Sequence, residues 1–132
     1  MARPKAEFPT PIELEVLKIL WESGPRSIRQ VWEVLNRQRA RHYTSVASLL
    51  ATMAEKGMLT AETRGRTLLY RAAIAREETV GDMVEDLVER AFEGSAGALV
   101  LRVLDQCSPS LEEMDAIAKF LREHRKRKGE KP

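Results

Sequence analysis

The chain has 132 residues, of which 43% are hydrophobic and 32% are charged, and its formal net charge is +2. This length predicts one compact domain or two small ones, with enough apolar residues for a core. No apolar run reaches the roughly 20 residues that a membrane span needs, and the N-terminus lacks the apolar centre of a signal peptide. Cys107 is the single cysteine, which excludes an internal disulfide and a cysteine metal cluster. We therefore expect a cytoplasmic protein with no membrane insertion, no metal and no other cofactor.

Charge is distributed unevenly along the chain. Residues 1–75 hold 12 Lys/Arg against 7 Asp/Glu, residues 77–115 hold 2 against 11, and residues 116–132 hold 7 against 2. The basic first part can neutralise phosphates, whereas the acidic middle would be repelled by them. We predict that the middle faces away from a nucleic acid, although charged runs are also typical of solvated surfaces.

Two helices are predicted in the first forty residues, and the first has apolar residues on more than one face, which favours a central place in the core. Thr10 and Glu13 form a capping-box pattern around a proline, and Ser27 and Gln30 repeat that pattern for the second helix. A Gly-Pro pair separates the two helices. Arginines cluster near the ends of the second helix, namely Arg26, Arg29, Arg37, Arg39 and Arg41. They either clamp a DNA backbone or lie in a solvated loop.

A third helix, with small side chains on one face, is predicted from Tyr43 to Gly57. The apolar residues of its buried face are spaced i, i+3, i+4 and i+7, and they are Val46, Leu49, Leu50 and Met53. The opposite face carries small and mostly uncharged side chains, namely Ser45, Ala47, Ser48, Ala51 and Thr52. Another surface can approach such a face closely. Glycine after Lys56 ends the helix.

Two short segments after this helix are rich in Thr, Leu and Tyr, which is typical of a β-hairpin. They span residues 58–63 and 67–71, and Arg64-Gly65-Arg66 joins them as a basic tip. Three helices and such a hairpin predict a winged helix, whose third helix enters the major groove while the wing contacts phosphates. The predicted fold class is mainly α with a small β-wing, an N-terminal winged helix-turn-helix and a three-helix C-terminal dimerisation region.

The outer face of the third helix is suited to base contacts, because hydroxyls can bond base edges and Ala or Thr methyls suit thymine. No Arg or Lys lies on that face before Lys56, which predicts limited reading of guanine. His42 has no His or Cys near it, so a contact to DNA or a surface role is expected rather than a metal ligand. Arg64 and Arg66 either bind DNA, or one of them pairs with Glu62. The predicted DNA-binding residues are Arg41, His42, Tyr43, Thr44, Ser45, Ala47, Ser48, Thr52, Arg64 and Arg66.

The second half of the chain predicts three short amphipathic helices, over residues 77–92, over residues 96–104 and after Ser110. The first approaches a coiled-coil seam with acidic residues between the apolar ones. Three such helices make a poor isolated core, so they pack either on a second copy or back onto the winged helix. We favour a homodimer. Its predicted interface residues are Val80, Met83, Val84, Leu87, Val88, Leu99, Val103, Met114, Ile117 and Leu121.

These elements predict four segments. They are a flexible N-terminus over residues 1–9, a winged-helix DNA-binding domain over 10–75, a helical dimerisation domain over 76–123 and a basic flexible tail over 124–132. The tail begins with the run His-Arg-Lys-Arg-Lys from His124. We expect a solvated, disordered end, and non-specific attraction to DNA is the alternative.

The order and spacing of several short motifs resemble those of the penicillinase-repressor family, the BlaI/MecI/CopY-type bacterial repressors. The motifs are Thr10-x-x-Glu13-Leu14-x-Val16-Leu17-x-Ile19-Leu20-Trp21, Tyr43-Thr44-Ser45-Val46, Lys56-Gly57 and Gly65-Arg66-x-x-x-Tyr70. Further along, Phe92-Glu93-Gly94-Ser95 is similar to the family's Gly-Ser turn. The run from Ser110 to Met114 is similar to the start of its last helix. The resemblance covers roughly residues 9–122.

The resemblance implies a transcriptional repressor that binds a palindromic double-stranded DNA operator as a homodimer, each recognition helix reading one half-site. In the β-lactam-responsive members, induction involves cleavage of an Asn-Phe bond, and the aligned bond here is Arg102-Val103. A membrane sensor-protease is therefore a candidate partner, but with a different cleavage specificity. Copper-responsive members carry a cysteine-rich motif, whereas this chain has Cys107 alone, which we expect to be buried. Thr52-Met53 replaces an Arg-Leu pair frequent in relatives, so a different operator is expected.

Three other functions are alternatives for such a chain. An enzyme needs a nucleophile with its base, a carboxylate pair in a cleft or a metal set, and two histidines and one cysteine far apart in the sequence offer none of these. A winged-helix adaptor that binds proteins is an alternative, because fold alone does not decide function. A repressor that senses a small ligand is another. Binding to DNA in the presence of competitor DNA, and stabilisation by a ligand, discriminate among them.

Overall fold

Six helices and three short strands form the part of the chain, residues 8–130, that the computed structural model describes. In chain order they are α1 (Pro11–Ser23), β1 (Arg26–Ser27), α2 (Ile28–Gln38), α3 (Tyr43–Glu55), β2 (Leu59–Arg64), β3 (Thr67–Ala72), α4 (Arg76–Phe92), α5 (Ala96–Cys107) and α6 (Leu111–Glu130). The prediction of a mainly α fold with a small β-wing is confirmed. The predicted flexible ends at residues 1–7 and 131–132 lie outside the described residues.

Reciprocal side-chain caps begin three of the helices at the residues that the sequence indicated. Thr10 Oγ1 accepts a hydrogen bond from the Glu13 N–H at 3.3 Å, and Glu13 Oε1 accepts one from the Thr10 N–H at 2.9 Å. Equivalent pairs of bonds begin α2 and α6. These bonds satisfy backbone donors that have no partner within the helix. Gly24 ends α1 with a φ of 79°, a value that favours glycine.

The core of the winged helix is built from the apolar faces of α1, α2 and α3 and from the wing. Its buried residues are Val16, Leu17, Leu20, Val31, Leu35, Val46, Leu50, Met53, Met58, Leu59 and Tyr70. Trp21 packs at its edge and donates from Nε1 to the carbonyl oxygen of Ile74 at 2.9 Å. This bond ties α1 to the segment that leads from the wing into α4.

The sheet has three antiparallel strands in the order β1-β3-β2. β1 is two residues long and pairs Arg26 with Tyr70, so the loop before α2 is joined to the wing. The hairpin lies where the sequence predicts it, but its tip is shorter than predicted. Arg64 pairs with Thr67 inside the sheet, and Gly65, with a φ of 61°, begins a two-residue turn. Glycine at that position is typical of tight hairpin turns.

The contacts among the described residues define two compact units that divide between Glu85 and Asp86, so the division falls within α4. It comes later than the boundary that we predicted between residues 75 and 76. The first turn of α4 therefore belongs to the first unit, and Thr79 in that turn is buried. Within residues 8–130, no helix combines the length and apolar composition that crossing a bilayer requires.

The second unit contains the end of α4, α5 and α6. α5 begins at Ser95, whose hydroxyl accepts from the Ala98 N–H at 3.0 Å, and it runs beyond the predicted end to Cys107. No residue between 86 and 129 is buried in the single chain. Cys107 is exposed, so our expectation of a buried cysteine is wrong. The reason is that the second unit has no core into which the thiol could pack.

α6 is longer than predicted. It continues through the basic run and ends at Glu130, so our prediction of a disordered tail is wrong for residues 124–130. Lys and Arg are good helix formers, and the run contains no helix breaker before Gly129. Cations in the last turn, here Arg127 and Lys128, also interact favourably with the helix dipole.

Candidate nucleic-acid interface

α3 has the two faces that its periodicity predicts. Val46, Leu50 and Met53 are at most 2% exposed and fill the core. The outward face is exposed at four of the positions proposed to contact DNA, namely Thr44, Ser45, Ser48 and Thr52, and also at Ala51. Ala47 is half-buried. The result is a narrow surface of small side chains that carries no charge in the middle of the helix.

The turn before α3 is held by side chains of α2. Asn36 Oδ1 accepts from the Arg41 N–H at 2.9 Å, and Trp32 Nε1 donates to the Arg41 carbonyl oxygen at 2.8 Å. Both peptide groups of Arg41 are thereby fixed, which positions the start of α3. The Nε of Arg41 is buried and has no hydrogen-bond partner among residues 8–130. A cation with an unused buried donor at a helix start favours the binding of an anion.

His42 is the N-cap of α3, and its side chain makes no capping hydrogen bond. The first turn of α3 therefore presents its positive end without a side-chain acceptor. An open groove of about 390 Å³ lies there, and its lining includes three basic residues, Arg39, Arg41 and His42, together with Ser45. The neighbouring ring of Tyr43 meets Trp32 edge-on, with 6.0 Å between ring centroids. This contact fixes Tyr43, which is 41% exposed, beside the groove.

The wing carries its two predicted arginines in exposed positions. Arg64 ends β2 and Arg66 lies in the turn, and neither makes an ion pair within residues 8–130. The alternative that one of them pairs with Glu62 is wrong, because Glu62 Oε1 lies 3.7 Å from Arg71 Nε. Glu62 pairs with Leu69 in the sheet, and Arg71 lies two positions further along β3, diagonally across from that carboxylate. Both wing arginines remain available to bind phosphate.

Sequence reasoning missed an ion pair at the other end of α3. Lys56 Nζ lies 2.8 Å from Glu13 Oε2, and the Glu13 carboxylate is 4% exposed. Burial by itself raises the pKa of Glu13, but the hydrogen bonds from Lys56 and Thr10 outweigh it and hold that pKa below its ordinary value. The pair joins the C-terminal end of α3 to the capping box of α1. The two residues are 43 positions apart, and no local pattern signals the contact.

The residues predicted for a dimer interface are open to solvent in the single chain. Val80, Val84, Leu87, Val103, Met114, Ile117 and Leu121 are each at least 37% exposed, and Met83, Val88 and Leu99 are half-buried. Further large apolar residues that we did not predict are also exposed, namely Val100, Leu101, Leu111 and Phe120. Among residues 8–130, no group of three or more His, Cys, Asp or Glu could hold a metal ion.

The fold and this surface define a winged-helix DNA-binding protein of the transcription-regulator class. The family model described as "Penicillinase repressor" matches residues 9–123. The chain therefore belongs to the penicillinase repressor family, whose members are transcriptional regulators and not enzymes. The predicted resemblance is confirmed.

Named relatives match over most of their length. The chain is 25% identical over 118 residues to the penicillinase repressor of Bacillus licheniformis, covering 89% of this chain and 92% of the relative. It is 29% identical over 123 residues to the transcriptional regulator BlaI of Mycobacterium tuberculosis, covering 92% and 88%. The solution structure of the DNA-binding domain of the repressor BlaI aligns with 23% identity and a TM-score of 0.48, covering 55% of this chain and 90% of that one.

Proposed function

We propose that the chain is a homodimeric repressor that binds a palindromic DNA operator. The observation that carries the proposal is the outward face of α3, which is exposed, narrow and uncharged in its middle, with basic groups at its start and on the wing. Small hydroxyl and methyl side chains suit base edges in a major groove. Residues Thr44, Ser45, Ala47, Ser48 and Thr52 contact bases in this proposal.

Phosphate contacts come from both sides of that face. At the start of α3, the unused Nε of Arg41, the side chain of His42 and the helix dipole favour an anion. Tyr43, fixed by Trp32, adds a hydroxyl beside the same groove. Arg64 and Arg66 bind the backbone or the minor groove from the wing. Such contacts set the orientation of the protein on the duplex, while the α3 face distinguishes sequences.

Dimerisation is proposed because the second unit cannot bury its own apolar side chains. Leu101 and Leu111 are 68% and 78% exposed, and no residue between 86 and 129 is buried. Large apolar surfaces of this kind mark interaction sites. A second copy offers identical stripes on its helices, and a two-fold axis presents two copies of α3 to two half-sites of a palindrome.

Release from the operator is proposed to follow proteolysis of the second unit. Few buried contacts hold these helices within one chain, and such regions open locally at low free-energy cost. The Arg102-Val103 bond lies in α5, within the second unit. A membrane sensor-protease is the inducing partner in this proposal, and the repressor itself acts in the cytoplasm.

The test is fluorescence anisotropy of the full chain on a labelled duplex from upstream of its own gene, with a scrambled duplex of equal composition alongside. We expect saturable binding to the upstream duplex, with two chains per duplex and a large preference over the scrambled one. Equal, weak and steeply salt-dependent binding to both duplexes would contradict the proposal and favour an adaptor.

A further inference from the structure

The C-terminal part of α6 carries a stripe of cations that the proposed function does not use. Lys119, Arg122, Arg125 and Lys126 are spaced three and four positions apart, so they lie on one face of the helix. All four are exposed. We call this set the α6 cation stripe.

The stripe is electrostatically unbalanced within the part of the chain that the structure describes. Asp115 and Glu123 lie four positions from Lys119, which is the spacing that favours an ion pair on a helix. Nevertheless, none of the four cations lies within 4.0 Å of a carboxylate oxygen among residues 8–130. Like charges three or four positions apart repel each other and destabilise a helix. An external anion bound to the stripe would reduce this repulsion.

The helix dipole does not account for these four residues. The favourable effect of the helix dipole on cations is confined to the last turn, where Arg127 and Lys128 lie. The apolar stripe of α6 does not account for them either. Its last large apolar side chain is Leu121, and every residue from Arg122 to Lys128 is charged or is histidine. An apolar interface with a second copy therefore does not extend over Arg122, Arg125 and Lys126.

We infer that the α6 cation stripe binds the phosphate backbone of duplex DNA, as a contact separate from α3 and the wing. From Lys119 to Lys126 the helix rises about 10 Å, and that length of duplex axis carries about six phosphate charges. Because the basic run is helical, its cations are held at fixed spacing, so less entropy is lost on binding than for a disordered tail. The inference rests on the proposed function, since it assigns a further contact to the same partner.

The described residues do not indicate that the stripe reads bases. Its contribution to DNA binding is therefore independent of the sequence of the duplex. It adds affinity for any duplex and raises the salt dependence of binding, while the preference for the operator stays with α3. An anionic membrane surface or an acidic protein would require a different partner from the one that the rest of the chain binds. The membrane surface is an outcome of the test.

The experiment compares two triple variants of the full chain that lose the same kinds of charge. R122Q/R125Q/K126Q removes two arginines and one lysine of the stripe. The matched control R76Q/R90Q/K18Q removes two arginines and one lysine that each pair with a carboxylate, at 2.9, 2.8 and 3.5 Å. Anisotropy is measured on a scrambled duplex and on the upstream duplex across a salt series. Sedimentation verifies that both variants keep the oligomeric state of the wild type.

We expect the stripe variant to lose up to about 2.7 units of salt slope for each bound chain, about 0.9 for each phosphate contact, and therefore up to about 5.4 for a dimer, on both duplexes. Its ratio of affinities for the two duplexes should equal that of the wild type, and the control should keep the wild-type slope. A stripe variant with the wild-type slope would overturn the inference while leaving the proposed function intact. That result together with lost binding to phosphatidylserine vesicles would assign the stripe to a membrane. Failure of the wild type to bind any duplex would contradict the proposed function itself.

Discussion

An ion pair between Lys56 and Glu13 joins the C-terminal end of α3 to the N-terminal end of α1, with 2.8 Å between Lys56 Nζ and Glu13 Oε2. Glu13 also accepts the Thr10 N–H, so one buried carboxylate both begins α1 and holds the C-terminal end of α3. The ion pair therefore contributes to the position of the helix that we propose reads DNA.

Replacing one member of this pair should destabilise the domain. In Glu13→Gln, the ion pair with Lys56 is lost and the capping box keeps only a neutral acceptor, so we expect a loss of about 1–3 kcal/mol in the free energy of unfolding. Urea denaturation measures this loss. Glu15→Gln is the matched control, because Glu15 pairs with Lys18 at the surface at 3.5 Å, and its effect should be near zero. Equal stabilities of the two variants would contradict this role of Glu13.

The same carboxylate predicts a pH dependence of stability. Folding holds the pKa of Glu13 below its ordinary value, so folding favours the ionised form. Its stabilising contribution is present above the unfolded-state pKa and is lost as the pH falls through the lower folded-state pKa. Unfolding free energies measured between pH 7 and pH 3 should fall more for the wild type than for Glu13→Gln. Parallel curves for the two proteins would rule out this linkage.

A charge on the outward face of α3 should abolish recognition without unfolding the protein. Ala51 is exposed on that face, and Ala51→Glu would bring a carboxylate against DNA phosphates and base edges. We expect binding to the upstream duplex to weaken about tenfold or more, with an unchanged melting temperature. Ala73→Glu, also at an exposed alanine but in the loop before α4, is the control and should bind normally. Wild-type affinity in Ala51→Glu would show that the outward face of α3 does not contact DNA.

The wing arginines should contribute affinity rather than sequence preference. R64Q/R66Q is expected to weaken binding to the upstream and scrambled duplexes by the same factor. It should also lower the salt slope by up to about 3.6, which corresponds to two phosphate contacts in each chain of the dimer. The control R76Q/R90Q removes two arginines that pair with carboxylates. Unchanged affinity of the wing variant at every salt concentration would show that the wing does not touch DNA.

An acidic residue in the apolar stripe of α6 should separate the proposed dimer. Ile117 is 39% exposed in the single chain, and burying Glu at this position in an interface would cost the desolvation of a charge. Sedimentation equilibrium should show monomers for Ile117→Glu at concentrations where the wild type is a dimer. Ala116→Glu adds the same charge at the neighbouring exposed position and should stay dimeric. A dimeric Ile117→Glu would exclude this stripe from the interface.

Local features of the molecule followed from the sequence, and distant ones did not. The capping residues Thr10 and Ser27 and the buried stripe of α3 depend on contacts three or four positions apart, which a pattern reveals. The pairing of Arg26 with Tyr70 in β1 involves too few residues to leave a periodic signal. The contact between Lys56 and Glu13 depends on how α1 and α3 pack, which only the assembled fold determines.

The same distinction applies to the candidate site. Periodicity indicated which residues of α3 face outward, and the exposure of Ser45, Ser48 and Thr52 agrees with it. The support of Arg41 by Trp32 and Asn36 was not foreseen, because it depends on the geometry of the turn between α2 and α3. The helical state of the basic run was missed because its charge was given more weight than its helix propensity.

Hydroxyl-radical footprinting of the full chain on the upstream duplex tests the central claim most directly. A homodimer with α3 of each copy in a major groove predicts two protected patches on one face of the duplex. They should be related by two-fold symmetry and centred one or more helical turns apart, about 10 base pairs each. A single patch without two-fold symmetry, or uniform weak protection along the duplex, would contradict the account.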